Sequence, residues 1–175
     1  MTNTKYLNLN ELRFALVFLF VFFLLQYAYS TSRGSIVEHI VIDVATVLPS
    51  AAILNFIAPG EQVVASGHRI ISPHGSLSIL NGCEGTETIF LLFSAIVAFK
   101  ASWRHKLKGA VLGFLIVYLL NQGRIIVLFF AAQKNRQLFD LLHGYVAPTL
   151  IIVLGSLFFL WWTSHAQGNE QIRAV

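Results

Sequence analysis

The sequence predicts an all-α integral membrane protein with about four transmembrane helices, an outer-side amphipathic helix and a small β-hairpin-like segment. Three observations carry this prediction. First, of 175 residues, 56% are hydrophobic and 11% charged, with a mean hydropathy of +0.70. A soluble domain carries about 25% charged residues. Too few polar groups remain here to cover a water-facing surface, which excludes a soluble globular enzyme, a disordered chain and a disulfide scaffold. Second, apolar runs recur at a length that spans a hydrocarbon core of ~30 Å at ~1.5 Å per residue. Third, one polar stretch between them alternates short β-prone groups with turn residues. The formal charge of +4 comes from scattered Lys and Arg, which report topology and do not mark a nucleic-acid surface. The expected partner is a lipid bilayer, with no nucleic acid.

The first span covers residues 12–30, entered by Lys5 and Arg13. A cleaved signal is the competing reading, but the apolar run exceeds the usual ~7–15 residues, which favours an uncleaved anchor. Residues 31–83 form a periplasmic segment. Within it, 36–57 has helical apolar spacing at Ile36, Ile40, Val44, Val47, Leu48 and Ala51, interrupted by Glu38, Asp43 and Pro49. It either lies in the interface or spans while packed against other helices. Residues 62–80 then supply the β-prone groups, punctuated by Gly67 and Pro73-His74-Gly75. The remaining spans are 84–100, 109–132 and 143–162, the last ending in Trp161-Trp162 at a headgroup interface. A cytoplasmic tail, 167–175, frays.

The basic loop Lys100, Arg104, Lys106 and Lys108 belongs in the cytoplasm by the positive-inside rule, as does the N-terminus. An even number of spans must separate them. The spans 12–30 and 84–100 supply two, so 36–57 is read as non-spanning. Lys134 and Arg136 fall outside, against the rule.

This topology brings three unusual residues to one depth. Cys83, the single cysteine, precedes the second span at its outer end. Arg124 lies roughly 22 Å from Gly109 along the third span, in the outer leaflet. His143 opens the fourth at its outer end. A lone cysteine is more often a small buried hydrophobe, and a lone interfacial histidine is more often structural. Arg124 is the stronger signal. A charge within a span costs ~2.5–3.5 kcal/mol on insertion scales, so it faces protein or water. Asn121 shares its helical face, which argues against simple snorkelling. Asn81 followed by Glu84 fits a capping box that would put Cys83 in a first helical turn, where free N–H groups favour thiolate. Asp140 would cap the last helix or orient the ring of His143, and a helix N-terminus there would keep the ring neutral. The implied chemistry is acyl transfer: Cys83 as nucleophile, His143 as acid and base, Arg124 stabilising the thiolate or an oxyanion. The alternative is a non-enzymatic membrane assembly subunit or small carrier, in which Arg124 and Asn121 make intramembrane polar contacts. The other histidines show no metal or haem spacing, so no metal and no cofactor is expected.

The chain resembles the exosortase/archaeosortase family of membrane transpeptidases. The resemblance rests on Asn81-Gly82-Cys83-Glu84-Gly85 leading into a span, Asn121-Gln122-Gly123-Arg124 within the next, and His143 at the head of the last. It covers roughly residues 63–162. Many members carry Ser or Ala where Glu84 stands, while the glycine matching Gly85 is kept. The chain is similar to the compact forms of the family, and the loop 99–106 resembles the exosortase H type. The resemblance implies a cysteine protease or transpeptidase of the cell inner membrane, with its active site facing the periplasm. Its substrates would be exported proteins bearing a C-terminal motif, a transmembrane helix and a basic tail. The acyl group would pass to water, or to a polysaccharide or lipid acceptor. It assigns Cys83 as nucleophile, Arg124 as electrostatic stabiliser and His143 as general acid and base.

Overall fold

The computed structural model describes residues 9–173, with side chains described to Ala166. Helix α1 (Leu9–Thr31) is apolar on every side and buries none of its residues. Leu16, Phe20, Phe23 and Leu24 are all exposed, which a helix tolerates when its solvent is hydrocarbon. A bend at residues 32–35 ends it. Ser35 then caps α2 (Ile36–Ile57), its hydroxyl accepting from the Val37 N–H. The middle of α2, Ile40–Val47, is π-helical. A Pro59–Glu61 turn leads into three short strands: β1 (Val64–Ser66), β2 (Arg69–Ser72) and β3 (Gly75–Ser78). They form one antiparallel sheet in the order β1-β2-β3, at the β-prone groups expected within residues 62–80. Helices α3 (Thr86–Ala98), α4 (Trp103–Lys134) and α5 (Arg136–Leu141) follow. A π-helical segment, Leu142–Val146, joins α5 to α6 (Ala147–Arg173). The chain from 167 to 173 therefore continues α6, where a frayed tail was expected.

Helices α1, α3, α4 and α6 pack side by side, with α3 touching the other three. The interior has two layers. Toward the basic loop, Leu92, Ile96, Val117, Ile151, Phe158 and Trp162 form one cluster. Its floor depends on a glycine: a Cβ on Gly109 would sit 2.3 Å from Trp162 Nε1, so only Gly lets the indole lie on α4. The second cluster joins α2 (Ile42, Val47, Leu54), the sheet (Ile70, Leu77) and α4 (Ile125, Leu128, Phe129). Cys83 packs against this second layer.

Among the described residues, four helical stretches are long and apolar enough to cross a membrane: Leu9–Thr31, Ile36–Ile57, Trp103–Lys134 and Arg136–Ala166. By length alone, these stretches differ from the expected spans in two places. The segment expected to span over 84–100 is a helix of only 13 residues, Thr86–Ala98, whereas α2 has the length of a span. Packing distinguishes them differently. Thr86–Ala98 sits among α1, α4 and α6. Both ends of α2 touch the sheet region: Glu38 accepts from Asn81 Nδ2 at 2.8 Å, and Asn55 exchanges two hydrogen bonds with Val63. Between these ends, Ala45 C=O accepts from Tyr118 Oη at 2.8 Å, and the Ser50 hydroxyl donates to Gln122 Oε1 at 2.5 Å. So α2 lies over the half of α4 that carries Asn121 and Arg124.

Candidate active site

β3 delivers the chain to the site. After Ser78, the chain turns at residues 80–83, where the Cys83 N–H donates to the Leu80 carbonyl at 2.9 Å. Gly82 and Gly85 flank the cysteine with φ of 94° and 84°. Two left-handed residues in four make a tight bend, and α3 begins only at Thr86, with Gly85 at its N-cap position and no side-chain cap. The expected capping box is therefore absent. Asn81 turns away to Glu38, and Glu84 Oε1 accepts from the Thr86 hydroxyl at 2.8 Å. Each side chain found a tertiary or turn partner in place of the helix end. Cys83 consequently lies before the helix, outside its first turn.

Cys83 Sγ stands 3.9 Å from His143 Nε2 and 4.0 Å from Nδ1. Both are sequence-predicted site residues, and the fold brings them into contact across 60 positions. Contrary to the expectation, His143 does not open a helix. It lies in the π-helical segment that continues from α5, whose N-cap is Asn135. The ring therefore gains nothing from a helix N-terminus. Asp140 makes no hydrogen bond to it among the described residues: that carboxylate pairs with Arg136 Nε at 3.3 Å on an exposed face. The ring is instead held by Phe139, stacked at 5.3 Å between centroids and 6° between planes. An aromatic four positions before His143 was a visible helical neighbour, and it is the positioning residue that the sequence analysis missed.

Arg124 is half-buried on α4, and its Nε has no hydrogen-bond partner among the described residues. Its guanidinium lies within electrostatic reach of both the Cys83 thiol and the His143 ring. Burial pushes the thiol above its ordinary range. The Arg124 charge and the Leu80 backbone contact pull it back down, while Glu84 and Glu87 add to the rise. The balance leaves Cys83 a neutral thiol near neutral pH, so a base must take its proton before it can attack. Among the described residues, no group of three or more His, Cys, Asp or Glu side chains is placed to hold a metal.

Asn121 is 1% exposed, and among the described residues neither its amide nitrogen nor its oxygen has a hydrogen-bond partner. It packs against the cysteine loop. A Cβ on Gly85 would lie 2.9 Å from Asn121 Cγ and 3.1 Å from Oδ1. Glu84, 5% exposed, holds the other side of the loop beside the buried Tyr29 hydroxyl, which also lacks a partner of good geometry. There the end of α1 and the loop enclose a cavity of about 430 Å³, lined by Tyr29, Arg33, Asn81, Glu84 and Glu87 among others. Gly85→Ala is expected to disturb the site doubly. It adds ~1–2 kcal/mol for a left-handed residue with a side chain, and it drives the new methyl into Asn121. We expect the rate of Cys83 alkylation by a thiol reagent to shift about fivefold or more, with membrane insertion intact. Labelling of Cys83 against membrane-bound protein measures both, and an unchanged ratio would contradict it.

The family model described as Transmembrane exosortase (Exosortase_EpsH) matches residues 7–163. No curated protein and no solved structure matches the chain.

Proposed function

The chain belongs to the transmembrane exosortase family, and we propose on that basis that this multi-pass membrane protein is a cysteine transpeptidase or protease. It cuts a C-terminal sorting signal from exported proteins at the periplasmic face of the inner membrane. The observation that carries this is the contact of Cys83 Sγ with His143 at 3.9 Å, with the Arg124 charge bearing on both. In this mechanism His143 takes the Sγ proton as the sulfur attacks the scissile carbonyl carbon. A C–S bond forms, and the carbonyl electrons move onto oxygen, where the Arg124 guanidinium stabilises them. The tetrahedral species collapses, the C–N bond breaks, and the departing amine receives the proton from His143. The thioester on Cys83 then passes to water, or to a nucleophile on a polysaccharide or lipid acceptor. The near-equal distances to the two ring nitrogens, 3.9 and 4.0 Å, let either serve after a small ring rotation. Such contacts often tighten only with substrate bound.

The basic loop faces the cytoplasm in this arrangement, and α2 lies with the sheet on the periplasmic side. The test is the acyl-enzyme itself. In membranes co-expressing a tagged substrate, a covalent adduct should form on Cys83 and be released by hydroxylamine, which cleaves thioesters. Substrate cleavage without any hydroxylamine-sensitive adduct, even on rapid quench, would dismiss the thioester route.

A further inference from the structure

We propose that the open edge of β3 holds the substrate as an added antiparallel or parallel strand, using the main-chain groups of Ser76 and Ser78. The proposal rests on the peptide-cleaving function above and names how that site receives its polypeptide.

The hydrogen-bond phase of the sheet fixes which groups are free. The Ile79 N–H donates to the His68 carbonyl at 2.7 Å. The β2–β3 register pairs Ile70 with Leu77 and Ser72 with Gly75. In an antiparallel ladder, hydrogen-bonded and non-bonded pairs alternate. Gly75, Leu77 and Ile79 therefore turn their N–H and C=O groups toward β2, and Ser76 and Ser78 turn theirs away. No partner receives them among the described residues, and both residues are exposed. At the opposite edge β1 lies against α2, while β3 lies against α4 through its Leu77 face.

An open edge is a ready template for another strand, and proteins usually blunt it with charge, proline or a bulge. β3 has none of these at its outward positions; it presents two serines. One face of the strand is closed by Leu77 against α4, which leaves the edge itself as the place to bind. The occupant follows from where the strand leads. Only Ile79 to Gly82 separate β3 from the nucleophile, and the turn at Leu80 brings Cys83 round toward His143. An extended chain laid along Ser76 and Ser78 arrives at the Cys83 turn. Recognition through main-chain groups is strand addition. It holds the scissile region extended without demanding a particular side chain at each position.

The test uses full-length enzyme in membranes with a tagged substrate. Proline at Ser76 or Ser78 removes an outward N–H but no bond of the β2–β3 ladder, a position that tolerates proline. Ser78→Pro and Ser76→Pro should each cut processing about tenfold through loss of main-chain bonds to the substrate, chiefly as a rise in apparent KM. Reaction of Cys83 with a membrane-impermeant thiol reagent should match wild type in both. A second arm needs no proline. In a Cys83→Ser background, a cysteine at position 78 should form disulfides with single cysteines at alternate substrate positions, the signature of a strand. Processing within twofold of wild type in both proline variants, or no alternating cross-link pattern, overturns strand addition while leaving the transpeptidase reading standing. Processing by Cys83→Ala would instead overturn that reading.

Discussion

Cys83→Ala is expected to reduce processing of a co-expressed substrate by about 10,000-fold or more, to the background of an uncatalysed membrane. Removing a covalent nucleophile eliminates the route, and residual binding and charge stabilisation recover little of it. It is the chain's single cysteine, so no neighbouring thiol can substitute. Cys83→Ser discriminates further. A hydroxyl in the same position keeps the packing against the second core layer but is a poorer nucleophile, since only a histidine and no depressed pKa activates it. The serine variant should bind substrate and stall. The pH dependence follows from burial. The Cys83 thiol lies above its ordinary range, so its alkylation should climb with pH through a midpoint higher than that of a free thiol. Processing aided by His143 should already run below that midpoint. Wild-type processing by Cys83→Ala would remove the enzyme from consideration as a thiol protease.

Arg124→Gln is expected to cost about 100- to 1,000-fold in the rate of processing, the scale seen when a preorganised charge or donor at an oxyanion is removed. Glutamine keeps much of the length and polarity while deleting the charge. Two readouts separate an electrostatic role from a structural one. Because Arg124 lowers the Cys83 pKa, its loss should move the alkylation midpoint further up, making the thiol slower to react at neutral pH. Membrane abundance should hold or rise, because a charge that is costly to insert has been removed. Reduced abundance with an unmoved alkylation profile would instead mark Arg124 as an intramembrane packing contact.

The three central residues were legible because polar groups in so apolar a chain are conspicuous, and the helical rise places Cys83, Arg124 and His143 at a common level. Their lateral meeting was not legible. It depends on how α3, α4 and α6 pack around interlocking surfaces such as Gly109 and Trp162, and no single helix encodes that. Several expected local patterns lost to competing partners or starts. Asn81 and Glu84 have the spacing of a capping box, but Glu38 lies 43 residues away and claims Asn81. Asp140 stands within a helical turn of His143, but Arg136 on the same helix holds it. His143 looked like the head of a span because the apolar run starts there. The helix itself starts at Asn135, whose side chain accepts from the Gln137 and Leu138 N–H groups, a signal written in the sequence at a place where hydropathy draws no attention. The short strands were legible from their turn residues, Gly67 and Pro73-His74-Gly75, because strands of three or four residues carry little periodicity of their own.

The shortness of α3 has a consequence for the lipid around it. At 13 residues this helix rises roughly 20 Å, against a hydrocarbon thickness of ~30 Å. A short element of this kind is accommodated by local thinning of the bilayer or by neighbours that surround it, at a cost of fractions of a kcal/mol per ångström. On the proposed reading, the mismatch falls at the end that bears Cys83. Headgroups and water drawn down there would let a peptide bond just above a membrane anchor meet the thiol without the anchor being pulled from the bilayer. Reconstitution into lipids of increasing acyl length should then change how far a substrate's cleavage point stands from the sulfur.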